Sequence, residues 1–101
     1  MYCERYFDKQ GNPIEMLEWA KLFEDFEYKV IQQTTLPSGK WVSTVWIGSC
    51  HNFNPLHNDN HLIFETMVFP KKGNYDCLDM KRYSTEEEAL KGHEEMCKKY
   101  S

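Results

Sequence analysis

The sequence predicts an α+β fold: a four-stranded antiparallel meander with one N-terminal and one C-terminal helix packed on one face, in the order α-β-β-β-β-α. Three observations predict it. One segment near each end carries apolar residues at helical spacing behind a start signal. Four β-rich runs separated by turns lie between them. No helical run interrupts those four, so consecutive strands can pair as antiparallel neighbours. The 101 residues suffice for one domain over 1–101, and a chain this short has a thin core.

Residues 2–7 read as a short strand, and Asp8-Lys9-Gln10-Gly11 as a turn. Asn12-Pro13-Ile14-Glu15 then reads as a helix start, with Asn12 as cap, Pro13 in the first helical position and Glu15 completing a capping box. Met16, Trp19, Ala20 and Phe23 follow i, i+3, i+4, i+7 spacing, and Trp19, Leu22, Phe23 and Phe26 repeat it. The first strand of the meander spans 28–36, and Pro37-Ser38-Gly39 turns the chain. The second spans 40–47. It sets Val42, Thr44 and Trp46 on one face and Trp41, Ser43, Val45 and Ile47 on the other, as a central strand does.

Residues 48–60 form a loop long enough to suggest function. The third strand spans 61–69, with Leu62, Phe64, Thr66 and Val68 opposite Ile63, Glu65, Met67 and Phe69. Residues 70–74 turn, and 75–83 form a charged edge strand. Ser84 caps the last helix with Glu87 as its capping-box partner. Ala89, His93, Met96, Cys97 and Tyr100 line one face of that helix. With both helices on one side, the other sheet face keeps aromatic side chains uncovered, as a ligand site or a homo-oligomer interface would.

Twelve Lys+Arg against sixteen Asp+Glu give a net charge of −4, which argues against a nucleic-acid groove. The excess sits largely at the helix starts, so an anionic small molecule can still meet a basic patch. No apolar run exceeds three residues, so no membrane helix is expected, and the first residues are charged where a signal peptide is apolar. Cys3, Cys50, Cys77 and Cys97 are scattered, which fits free thiols in a cytoplasm.

Three constellations bear on chemistry. Cys50, His51, His57 and His61 are metal-ligand types within twelve residues, but no paired-cysteine or helical two-histidine motif accompanies them. No metal is therefore expected, and His51, His57 and His61 stand only as weak candidates. Ser43, Thr44 and Glu65 with His51 could supply a nucleophile, a carboxylate and a base, without the elbow or oxyanion hole that acyl transfer needs. Glu65 reads better as solvated or paired with Lys40. His93, on an apolar stripe, reads as a core histidine.

The strongest signal is the aromatic fraction of 15%. Aromatic faces flanked by cations suit a nucleotide-like ligand, with stacking for the base and Lys or Arg for phosphate. The expected ligand-binding set is Trp41, Trp46, His51, Phe53, Glu65, Lys71 and Arg82. No catalytic residue and no cofactor is expected, since phosphate-loop motifs are absent from the sequence.

Gly11-Asn12-Pro13-Ile14, residues 18–24, Val42-Ser43-Thr44-Val45-Trp46, residues 62–69 and residues 82–89 with Gly92-His93 resemble a family of small uncharacterised bacteriophage and prophage-associated proteins. The resemblance runs from Tyr6 onward and departs in the long loop, where Cys50-His51-Asn52-Phe53-Asn54-Pro55 stands in place of a glycine-rich link. It implies an accessory protein of the host cytoplasm that sequesters a nucleotide-type defence signal or blocks a host defence protein. The alternatives are a small metal-assisted hydrolase and a virion structural or assembly component.

Overall fold

A computed structural model describes residues 5–50 and 62–101. The expected meander is present. Strands β3 (Val30–Thr35), β4 (Trp41–Trp46), β6 (Phe64–Phe69) and β7 (Asp79–Tyr83) form an antiparallel sheet in the order β3-β4-β6-β7. Helix α3 (Glu86–Tyr100) lies across one face of it. Beside it stands a second, three-stranded sheet, with β1 (Arg5–Phe7) between β2 (Pro13–Ile14) and β5 (Ser49–Cys50). Two short helices, α1 (Met16–Glu24) and α2 (Phe26–Lys29), precede β3.

The small sheet overturns the expected start of the first helix. Asp8 organises a turn instead: its Oδ1 accepts from the backbone N–H of Gln10 at 3.0 Å and of Asn12 at 2.9 Å. The Asn12 side chain donates to Asp8 Oδ2 at 3.3 Å, so Asn12 closes a hairpin and caps no helix. Gly11, at φ +84°, supplies the left-handed step in that turn. Pro13 sits on an outer strand, where its missing N–H is harmless. The helix begins at Met16, after Glu15, whose side chain makes no capping bond.

The first apolar stripe is also interrupted. Asp25 ends α1 and starts α2, its carboxylate accepting from the N–H groups of Glu27 and Tyr28. Phe26 therefore leaves the Trp19–Leu22–Phe23 stripe and stands 65% exposed. Helix α1 packs on β1 and α2 and does not lie across the four-stranded sheet beside α3. Trp19, Leu22 and Phe23 of α1 and Tyr28 of α2 pack against the cluster around Trp46, with the Phe23 and Tyr28 rings meeting Trp46 at centroid separations of 6.5 and 5.0 Å. Trp19 Nε1 donates to Ile47 O at 2.9 Å and fixes the corner.

Registers bear out the expected faces of β4 and β6: Val42 pairs with Val68, Thr44 with Thr66 and Trp46 with Phe64, all beneath α3. Several bounds are shorter than expected. Tyr28 belongs to α2, and residues 75–78 lie outside β7, where Asn74 Oδ1 accepts from Asp76 N in a turn. The last helix starts one residue later than expected. Thr85 is its cap, accepting from Glu88 N, and the Glu88 carboxylate reaches back to Ser84 N. No helix of the described residues is long and apolar enough to cross a membrane.

Candidate functional site

On the face turned away from α3, Trp41 and Phe69 are direct cross-strand partners. Their ring centroids lie 5.5 Å apart, and Phe69 meets Tyr75 edge-on at 5.6 Å. The result is a row of three aromatic rings ending in Tyr75, which is 74% exposed. Lys71 and Lys72 follow Phe69 in the next turn, and Lys40 precedes Trp41, so three ammonium groups belong to the same end of the sheet. Gly73, at φ +93°, lets that turn close, with Lys71 bridged to Asn74.

Two residues further along each strand, Ser43 opposes Met67, which opposes Met80. Gln33 Nε2 donates to Ser43 Oγ at 3.1 Å. Two further on, Glu65 and Arg82 are cross-strand partners, joined from Arg82 Nε to Glu65 Oε2 at 3.0 Å. The aromatic row and this ion pair are four residues apart along β6, about 13 Å.

The structure thus brings Trp41, Glu65 and Arg82 onto one face and Lys71 to its rim. It separates Trp46 from them. Trp46 is fully buried beneath α3 on the opposite face and donates its indole N–H to Phe7 O at 3.1 Å, so it is a core residue and not a ligand contact. Period-2 alternation already put Trp41 and Trp46 on opposite faces; what selects Trp46 for the core is the ring of Phe7, Phe23 and Tyr28 around it. His51, Phe53, His57 and His61 lie outside the described residues. Among the described residues no group of three metal-ligating side chains comes together.

The expected Ser43, Thr44 and Glu65 trio is divided between the two faces. Ser43 and Glu65 share the open face, and Glu65 pairs with Arg82, not Lys40. Thr44 belongs to a buried polar line that sequence reading missed. His93 inserts from α3 between two threonines, its Nε2 2.9 Å from Thr34 Oγ1 and its Nδ1 2.7 Å from Thr44 Oγ1. Thr44 Oγ1 meets Thr66 Oγ1 at 2.5 Å. Burial holds the His93 imidazole below its ordinary pKa, against a small opposite effect of Glu94. At the far side of the sheet, burial pushes the Tyr83 phenol up, partly offset by the Thr66 hydroxyl. Tyr83 Oη makes no hydrogen bond of ordinary geometry. A threonine on each of three neighbouring strands, Thr34, Thr44 and Thr66, was the available signal for this line.

These side chains divide by chemistry. Among the described residues the histidine is His93, and it is sealed in the core with both ring nitrogens engaged. On the open face solvent reaches Tyr75, Met80 and the Arg82–Glu65 pair most freely, with Trp41 half-buried and Phe69 buried between Trp41 and Tyr75. Such a surface can stack and orient a ligand. No family model, curated protein or solved structure matches the chain.

Proposed function

We propose that this chain is a non-catalytic binding protein, and that the open face of its four-stranded sheet takes a small, flat, anionic ligand of nucleotide type. The observation that carries the reading is the Trp41–Phe69–Tyr75 row on the face turned away from α3, in which the buried Phe69 ring touches both Trp41 and the exposed Tyr75. Stacking on the row would hold a base, and Lys40, Lys71 and Lys72 would meet phosphate at the same end. Arg82 is engaged with Glu65, so that pair would orient a ribose or a second polar group. In the setting that the phage resemblance implies, such a protein would act in the host cytoplasm by capturing a nucleotide-type signal.

Calorimetry against a panel of cyclic nucleotides and ADP-ribose derivatives tests this. Binding by the wild type, weakened about 10- to 100-fold in Trp41→Ala, is expected, because one aromatic–base stack contributes about 1–3 kcal/mol. A panel that gives no heat removes the reading. Stoichiometric metal in the purified protein would favour the hydrolase instead, and association through the same face at high concentration would favour an assembly role.

A further inference from the structure

We propose that β3 is an interface between copies of this chain: its outer edge pairs antiparallel with the same edge of a second copy, joining two four-stranded sheets into one. This inference is independent of the nucleotide reading. The sheet order leaves β3 and β7 as edges, and the two differ in chemistry. Edge strands that stay single are blunted by charge, proline or irregular backbone. β7 carries Asp79, Lys81 and Arg82 among its five residues. β3 reads Val-Ile-Gln-Gln-Thr-Thr, with β-branched residues throughout and no charge, proline or glycine. Its one irregularity is the register shift between Val30 and Gln32, which leaves residues 32–35 regular.

The backbone fixes which groups are on offer. Leu36 N donates to Lys40 O at 2.8 Å, so the residues bonded to β4 alternate back along the strand from Leu36 through Thr34 to Gln32. Gln33 and Thr35 therefore turn their N–H and C=O groups away from β4. Both residues are exposed, and among the described residues neither backbone bonds to anything beyond the sheet. Two copies related by a two-fold axis at Thr34 set Gln33 of each opposite Thr35 of the other, with about four main-chain hydrogen bonds between them.

The side chains select a second copy as the occupant. An amide and a hydroxyl each carry a donor and an acceptor, so a strand of such side chains matches its own kind, whereas lysine repels lysine. Gln33 and Thr35 share the open face, and Thr34 meets Thr34 of the second copy on the α3 side. In this register Lys29, just before β3, falls beside Gly39 of the second copy, so no like charges are opposed. Its ammonium stays over the Phe23 ring. The axis stands perpendicular to the sheet, so both α3 helices lie on one side and both Trp41 faces on the other, and pairing covers neither.

Sedimentation equilibrium of the full chain from about 10 µM to 1 mM, the range of a small interface, tests this. The mass should rise from 12.1 kDa toward twice that value. Q33K/T35K should stay at the monomer mass, because like charges then meet across the axis, and so should Q33E/T35E. An equimolar mixture of the two variants should regain the dimer, which also shows that both fold. Met80→Lys, an exposed site on β7 and the open face, should leave dimerisation unchanged. Amide exchange at Gln33 and Thr35 should slow about tenfold as concentration rises, while Gln32 and Thr34, already bonded to β4, hold their rates. A monomer throughout, a dimer that Q33K/T35K still forms, a mixture that stays monomeric, or concentration-dependent protection in β7 instead of β3 overturns the proposal.

Discussion

Gly92→Ala sets two principles against each other. In an isolated helix the change is favourable by about 1 kcal/mol, because alanine loses less backbone entropy than glycine. In this molecule a Cβ at position 92 would fall inside the van der Waals envelope of Tyr83 Oη, Cζ and Cε1. The ring cannot swing away freely, because Tyr83 is only 7% exposed and belongs to the Trp46–Phe64–Ala89 core cluster. Overpacking of this kind costs about 3 kcal/mol at the upper end of its usual range. The net expectation is a loss of about 2 kcal/mol, or a fall in Tm of about 8–16 °C for a domain of this size. Thermal unfolding followed by circular dichroism measures it. Tyr83→Phe supplies the second leg of a cycle. Alone it should be near neutral, since the hydroxyl it removes is buried and makes no hydrogen bond of ordinary geometry. Combined with Gly92→Ala it should recover about 1 kcal/mol, because one of three overlapping atoms is gone. A Tm that rises in Gly92→Ala would refute the close contact of α3 on β7.

Two further outcomes follow from the polar contacts. His93→Leu leaves the hydroxyls of Thr34 and Thr44 short of a partner and should cost about 2 kcal/mol near neutral pH. The folded imidazole titrates below the ordinary value of 6.5, so the unfolded chain takes up the proton first; the His93 contribution is complete above 6.5 and falls as pH drops below it. Urea midpoints on either side of that value should therefore separate more in the wild type than in His93→Leu. Asp79 accepts from Lys99 Nζ, Tyr100 Oη and Met80 N, which holds its carboxyl below the ordinary 3.8 and ties the end of α3 to β7. Its contribution is present above 3.8 and lost as pH falls through the lower folded value, so Asp79→Asn should lower Tm at neutral pH and match the wild type in strong acid.

The meander was legible because its signals are local. Alternation in 40–47 and 61–69 assigned every residue of β4 and β6 to its observed face. The N-terminal third was misread where two local signals competed for the same residues. Asn12-Pro13 suits a helix start and also a hairpin's return strand, and the Asp8 carboxylate decides for the hairpin through contacts at separations of two and four. The single long helix failed at Asp25 for a similar reason, since its side chain caps a new turn. The polar line under α3 was illegible because its partners are far apart in sequence, His93 from Thr34 by 59 residues and from Thr44 by 49. At the candidate site, alternation was enough to join Trp41, Glu65 and Arg82 through their strands. It was also enough to exclude Trp46, had the two tryptophans been required to share a face.

The central claim is that the uncovered sheet face is a ligand surface built on Trp41. Titrating the isotope-labelled protein with a nucleotide while following the three indole N–H resonances tests it most directly. Trp46 and Trp19 donate to Phe7 O and Ile47 O inside the fold, so their signals should stay in place while that of Trp41 moves to saturation. Movement of Trp46 or Trp19 with Trp41 unchanged, or no movement at millimolar nucleotide, would contradict the account.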